Sequence, residues 1–130
     1  MILAIRTDKP EAELHLCDEE GRVLASYSWE AHRTLAGTLV QVIKDFLQNN
    51  NTATEQLSGI IVFSGAGSFT GLRIGATVAN ALAYAHSIPV VAGEGAEWIA
   101  DGLTKLKSAE SGHFVVPTYD REPNITKPKN

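Results

Sequence analysis

Residues 71 to 86, GLRIGATVANALAYAH, have the spacing of a helix. On that helix, apolar or small side chains cover an arc of roughly 220°, well over the ~100° that one core contact needs. Gly71, Gly75, Ala79 and Ala83 form one narrow row of small residues, which Leu72 and Ala76 extend outward. Ile74, Val78, Ala81, Leu82 and Ala85 form a band of larger residues beside it. Arg73, Thr77, Asn80 and Tyr84 take the remaining side. A helix this apolar has to be covered twice. The larger band is expected to lie on a sheet of the same chain. The small row lets another helix approach to the short end of the usual ~8–10 Å spacing. That second cover is either the chain's own helix at 33–49 or a partner protein.

The rest of the chain supplies the sheet. Residues 2–5, ILAI, read as a buried strand. Ala12, Leu14 and Leu16 alternate with Glu13, His15 and Cys17, the pattern of a half-buried strand. DEEGR makes a hairpin turn around Gly21, and Val23, Ala25 and Tyr27 alternate in the returning strand. The opening is therefore a three-stranded antiparallel meander. Leu35, Leu39, Val42, Ile43, Phe46 and Leu47 then fall at helical spacing, predicting a helix over 33–49. Leu57 to Phe63 is apolar and β-branched, a strand buried on both faces. SIPVVAG gives another short strand. Trp98, Ile99, Leu103 and Leu106 predict a helix over 94–107, and Phe114 to Val116 are a candidate last strand. PTYDREPNITKPKN, with three prolines and little apolar content, reads as an extended tail. The order βββαβαβα predicts an α/β fold, a mixed sheet with helices, as in ribonuclease-H-like and actin-Hsp70-like ATPase lobes. One lobe is expected over 1–108 and a C-terminal tail over 109–130. The 130 residues suffice for one core.

Between the fourth strand and the small-residue helix lies GAGSFTG. Gly65 and Gly67 permit unusual backbone angles, and a helix start offers free N–H groups to an anion, so Gly65, Gly67 and Ser68 are a candidate anion-binding loop. The alternative is a tight strand-to-helix turn capped by Thr70 or Ser68. The spacing fits neither a Walker motif nor the G-x-G-x-x-G dinucleotide fingerprint.

VFSGAGSFTGLRIGATVANALAYAHSIPVVAG closely resembles the TsaB (YeaZ) family, whose pattern is G-x-G-S-F-T-G-L-R-I-G, then a helix, then a G-I-P-type strand. MILAI matches the family's first strand, and the resemblance runs over residues 1 to about 107. It implies the actin-Hsp70-like fold and a role in making N6-threonylcarbamoyladenosine at position 37 of tRNAs that read ANN codons. It also implies a non-catalytic scaffold and activator of the paralogous transferase TsaD, with TsaE and TsaC as further bacterial components and tRNA contacted only indirectly. On this reading the partner interface comprises Phe69, Thr70, Gly71, Leu72, Arg73, Gly75, Ala76, Ala79 and Ala83, and the same helix is a candidate homodimer contact. No catalytic residue, cofactor or metal is expected.

Two departures from the family pattern bear on chemistry. The family has Asp after its first strand, in a D-T-S stretch, whereas this chain has Arg6-Thr7-Asp8. Arg6 repels Mg²⁺ and cannot ligate it, although it suits a phosphate. Its alternative is a solvated charge at a strand end. Further, PTYDREPNI resembles the family's C-terminal P-x-Y-x-R-x-P segment, which implies a minimal form lacking most of the second lobe.

The remaining residues argue for little chemistry. His15, His32, His86 and His113 have no zinc spacing, and Cys17 is the single cysteine, so no internal disulfide forms and a reducing, cytoplasmic setting is expected. FSGAG lacks the G-x-S-x-G nucleophile elbow. Trp98 is expected in the core, and Asp18, Glu19 and Glu20 in a solvated turn. The net charge of −4 gives no basic footprint for nucleic acid, and no apolar stretch is long enough to span a membrane. Two other functional classes stay open: a small nucleotide-binding enzyme using the 65–71 loop, and a self-associating interaction module.

Overall fold

In the computed structural model, residues 1–66 and 69–116 are described, with only the backbone of His32 and Phe69. Five strands, β1 (Ile2–Arg6), β2 (Glu11–Cys17), β3 (Val23–Glu30), β4 (Gly59–Phe63) and β5 (Val90–Gly93), form one sheet in the order β3-β2-β1-β4-β5. The helices are α1 (Leu35–Asn49), α2 (Phe69–His86) and α3 (Trp98–Leu106), with short 3₁₀ turns at His32–Thr34 and Thr54–Gln56. The first three strands pair antiparallel through short turns, while β1–β4 and β4–β5 pair parallel. Parallel neighbours need crossover connections, and α1 and α2 provide them.

Burial follows from this layering. β4 is buried at all five positions, and β1 at all but Arg6, because helices cover both faces there. On one face Leu3, Ile5, Leu14, Leu16, Ile60 and Val62 meet Leu39, Ile43 and Leu47 of α1 and Ala79 and Ala83 of α2. On the other, Ile2, Ala4, Cys17, Ile61 and Phe63 pack around Trp98 of α3. Trp98 is thus a core residue, as its spacing predicted. The meander and the alternation of later elements are those read from the sequence.

The orientation of α2 is reversed from expectation. The small row turns inward, with Gly71, Leu72, Gly75, Ala76, Ala79 and Ala83 all buried in the chain's own fold. A sheet needs close approach as much as a helix does. At Gly75 an added Cβ would collide with Oγ1 of Thr7. The larger band faces sideways instead: Ile74, Val78 and Leu82 are half-buried against the α1 side, whereas Ala81 and Ala85 are exposed. The second cover of α2 is internal, since α1 packs against it.

Two local expectations also change. α2 begins at Phe69, so Thr70 lies within its first turn and does not cap it; a cap at Ser68 falls outside the described residues. Residues 114–116 form no strand. Val115 instead exchanges two hydrogen bonds with the Asn80 side chain on α2: its N–H donates to Oδ1 (2.9 Å) and its carbonyl accepts from Nδ2 (2.8 Å). No described helix is long and apolar enough to cross a membrane.

Candidate functional site

The carboxyl ends of β1 and β4 converge beside the start of α2. In a mixed sheet with a parallel centre, that edge is where loops gather and ligands are held. β1 ends in Arg6, and the turn after it brings Asp8 back alongside. The Arg6 guanidinium donates from Nε to Asp8 Oδ1 (2.8 Å) and from Nη2 to Oδ2 (3.2 Å). The same group lies 3.9 Å above the centre of the Phe63 ring at the end of β4. Phe63 in turn meets Trp98 edge-on, with centroids 5.8 Å apart. Asp8 is buried, with its side chain 5% exposed. Its hydrogen bonds push the Arg6 pKa above the ordinary guanidinium value, against the opposing effect of burial.

The adjoining loop is fitted to this cluster. A Cβ at Gly65 would stand 3.2 Å from the Phe63 ring, so the glycine is there for the aromatic as much as for backbone freedom. Ser64 is buried, and its N–H donates to the Gly93 carbonyl (2.9 Å), tying the loop to β5. Thr7 Oγ1 donates to the Gly71 carbonyl (2.7 Å), clamping the end of β1 to the first turn of α2. Gly67 and Ser68, the other members of the candidate anion loop, lie outside the described residues.

Both oxygens of the buried carboxylate are engaged by one guanidinium, whose Nε–Nη2 edge is taken by that carboxylate and one of whose faces lies on an aromatic ring. A bidentate, charge-assisted pair of this kind fixes both partners. It is neither a solvated strand-end charge nor an open phosphate fork, the two roles read for Arg6 from the sequence. The part Phe63 plays was missed; its one sequence signal is an aromatic at the end of a run otherwise made of β-branched residues.

Among the nine expected interface residues, Thr70 and Arg73 are exposed, six face the chain's own interior, and the side chain of Phe69 is not described. The exposed ridge of α2 consists of Thr70, Arg73, Thr77, Ala81 and Tyr84. Between this ridge and α1 runs a groove of about 330 Å³ lined by Ala36, Thr70, Arg73, Ile74, Thr77 and Val78. Glu19, expected in a solvated turn, has structural partners: the Met1 ammonium (2.8 Å) and Ser58 Oγ (2.7 Å). Among the described residues no group of three or more His, Cys, Asp or Glu side chains is placed to hold a metal ion.

Comparison with known proteins places this geometry. The family described as TsaD, tRNA N6-adenosine threonylcarbamoyltransferase, matches residues 28–116. The tRNA threonylcarbamoyladenosine biosynthesis protein TsaB of Bacillus subtilis is 33% identical over 122 residues, 92% of this chain and 49% of that protein. The chain belongs to the TsaB/YeaZ family. The TsaB protein of Haemophilus influenzae is 31% identical over 94 residues, 72% of this chain and 39% of its own length. The chain thus spans about half or less of these TsaB relatives. YeaZ from Pseudomonas aeruginosa superposes with a TM-score of 0.64 at 32% identity, over 72% of this chain and 43% of that one. A protein described as similar to peptidase YEAZ, also from Pseudomonas aeruginosa, gives 0.65 at 32%, over 72% and 42%. The five-stranded sheet and its helices are accordingly an actin-like, ribonuclease-H-like ATPase fold, as the element order predicted.

Proposed function

We propose that this chain is a non-catalytic subunit of N6-threonylcarbamoyladenosine synthesis on tRNA, acting by docking onto a TsaD-type transferase. The observation that carries the non-catalytic part is the Arg6–Asp8 pair seated on Phe63. Mg²⁺ beside a phosphate is held through one or two carboxylates that are free to face it. Here a guanidinium holds both oxygens of the carboxylate two residues on, and an aromatic ring closes one side. The TsaB relatives' names support the pathway.

Because the small row faces inward, the docking face is the exposed ridge Thr70, Arg73, Thr77, Ala81 and Tyr84. Calorimetry of the purified chain with ATP and Mg²⁺ is expected to show no binding heat, and the chain is expected to co-purify with TsaD. Mg²⁺-dependent ATP turnover that survives stringent purification would overturn the non-catalytic reading. For the docking face, Thr77→Arg should leave the melting temperature unchanged and weaken association with TsaD by on the order of 2 kcal/mol, as for a clash at an interface centre. Unaltered affinity would remove the ridge from the interface.

A further inference from the structure

The two edges of the sheet are finished differently. β5 is four residues long, and its Gly93 carbonyl turns inward to accept from Ser64, so the Ala92 carbonyl points outward. Lys105 of α3 reaches over that edge and donates from Nζ to Ala92 (2.8 Å). A lysine over an edge guards against further strand pairing. β3, at the other edge, is the longest strand at eight residues, and residues 23–29 of it hold neither a charged side chain nor a proline. No described element pairs with its outer side.

The ladder to β2 fixes which groups of β3 face out. Ala31 N–H donates to the Pro10 carbonyl (2.9 Å), and two-residue steps from that pair reach Trp29–Ala12, Tyr27–Leu14 and Ala25–Leu16. Hydrogen-bonded and non-bonded pairs alternate in an antiparallel ladder, so the N–H and C=O of Ser26 and Ser28 point outward. The side chains divide likewise. Ala25, Tyr27 and Trp29 share the α1 face, where the rings of Tyr27 and Trp29 stack at 5.8 Å and Tyr27 is 50% exposed. Ser26 and Ser28 share the opposite face.

Such an edge is complementary to itself. A two-fold contact sets one stretch against the same stretch reversed. The bulge opposite Leu16/Cys17 disturbs β3 at Leu24 and leaves residues 25–30 regular. Pairing centred on Tyr27 keeps both rungs, Ser26 to Ser28 and Ser28 to Ser26 of a second copy, inside that stretch. It sets Trp29 beside Ala25, large against small, and hydroxyl beside hydroxyl on the other face. Pairs of these kinds stabilise a sheet, and no like charges meet.

We propose that two copies of the chain join β3 to β3, antiparallel about Tyr27, into one continuous sheet. A contact confined to one strand pair ranks with the small interfaces, below about 1,200 Å² in total, so the dimer dissociates in the micromolar range. α2 packs on β1, β4 and β5, away from β3, and its exposed ridge stays open in the dimer.

Sedimentation velocity of the full chain alone should show a monomer–dimer equilibrium at micromolar concentrations, and the Ser26 and Ser28 amides should exchange more slowly as concentration rises. Ser28→Pro removes an outward N–H, and Tyr27→Lys brings two cations together at the axis. Each should raise the dissociation constant about tenfold or more while the dilute chain stays folded. Tyr27→Cys should give a disulfide-linked dimer on mild oxidation, because the paired Cα atoms there lie about 4.5 Å apart and the native Cys17 is buried. Thr77→Arg on the α2 ridge should leave the dimer intact, and Tyr27→Lys should leave TsaD binding intact, which separates this contact from the docking face. A chain that stays monomeric across the range would overturn the proposal. So would a dimer that Thr77→Arg breaks, or one that Tyr27→Lys leaves as tight as before.

Discussion

At Gly75 an added methyl group meets the hydroxyl of Thr7, which is itself donating to the Gly71 carbonyl. The position reads from sequence as a helical glycine whose replacement gains helix propensity. The fold makes it the point where α2 touches the end of β1, so Gly75→Ala is expected to destabilise the chain by about 1–3 kcal/mol, as overpacking does. Chemical denaturation measures it. In a double-mutant cycle with Thr7→Ala the two losses should not add, because the second change removes the colliding oxygen. A similar argument holds at Arg6. Truncation to Ala leaves the Asp8 carboxylate buried without its guanidinium, and stability should fall by about 1–3 kcal/mol. Asp8→Asn in the Arg6→Ala background should recover part of the loss, since the amide carries no charge to bury.

Helices and strands were legible because periodicity records burial, and α2 shows where that record stops. Its wheel carries two inward-capable arcs, one small and one large, and hydrophobicity favours both. Which arc meets the sheet depends on how near α2 lies to β1, and Thr7, sixty-eight positions earlier in the chain, sets that distance. No local pattern encodes it. The Arg6–Asp8–Phe63 cluster was half legible: the departure from D-T-S was visible, but the ring beneath Arg6 depends on the β1–β4 register, which pairs Ile5 with Val62. The apolar stripe of α3 was legible, since Trp98 has apolar neighbours at helical spacing, but its start was not: residues 94–97, read as helix, form a turn and the helix runs only over Trp98–Leu106. Trp98 anchors the smaller core by meeting Phe63 and, at 5.9 Å, His15. Trp98→Ala is expected to cost about 3–5 kcal/mol. The loss should show as a lower urea midpoint together with a collapse of near-ultraviolet dichroism.

Taken whole, the molecule is tied at its open end by a charge. Glu19, in the β2–β3 turn, accepts from the Met1 ammonium at the start of β1 and from Ser58 just before β4, and these contacts hold its pKa down at about 2. A carboxylate depressed on folding stabilises the native state above its ordinary value of roughly 4.3, and that contribution is lost as pH falls toward the folded value. Stability should therefore decline between about pH 4.5 and 2 more steeply in the native chain than in Glu19→Gln. The difference should be modest, because the side chain is 62% exposed and water screens the pair. Urea midpoints across that window would show it, and parallel curves would remove Glu19 from the acid response. The strand order carries one more consequence, for synthesis. β1 is central, yet the strand that closes its second side, β4, lies past β2, β3 and α1 in the chain. A ribosome making this protein therefore releases the three-stranded meander with an apolar inner strand still open along one flank. Through the whole of α1's emergence that flank is available to any other nascent chain, so crowded polysomes, more than the finished protein, are where this sequence is most exposed to mispairing.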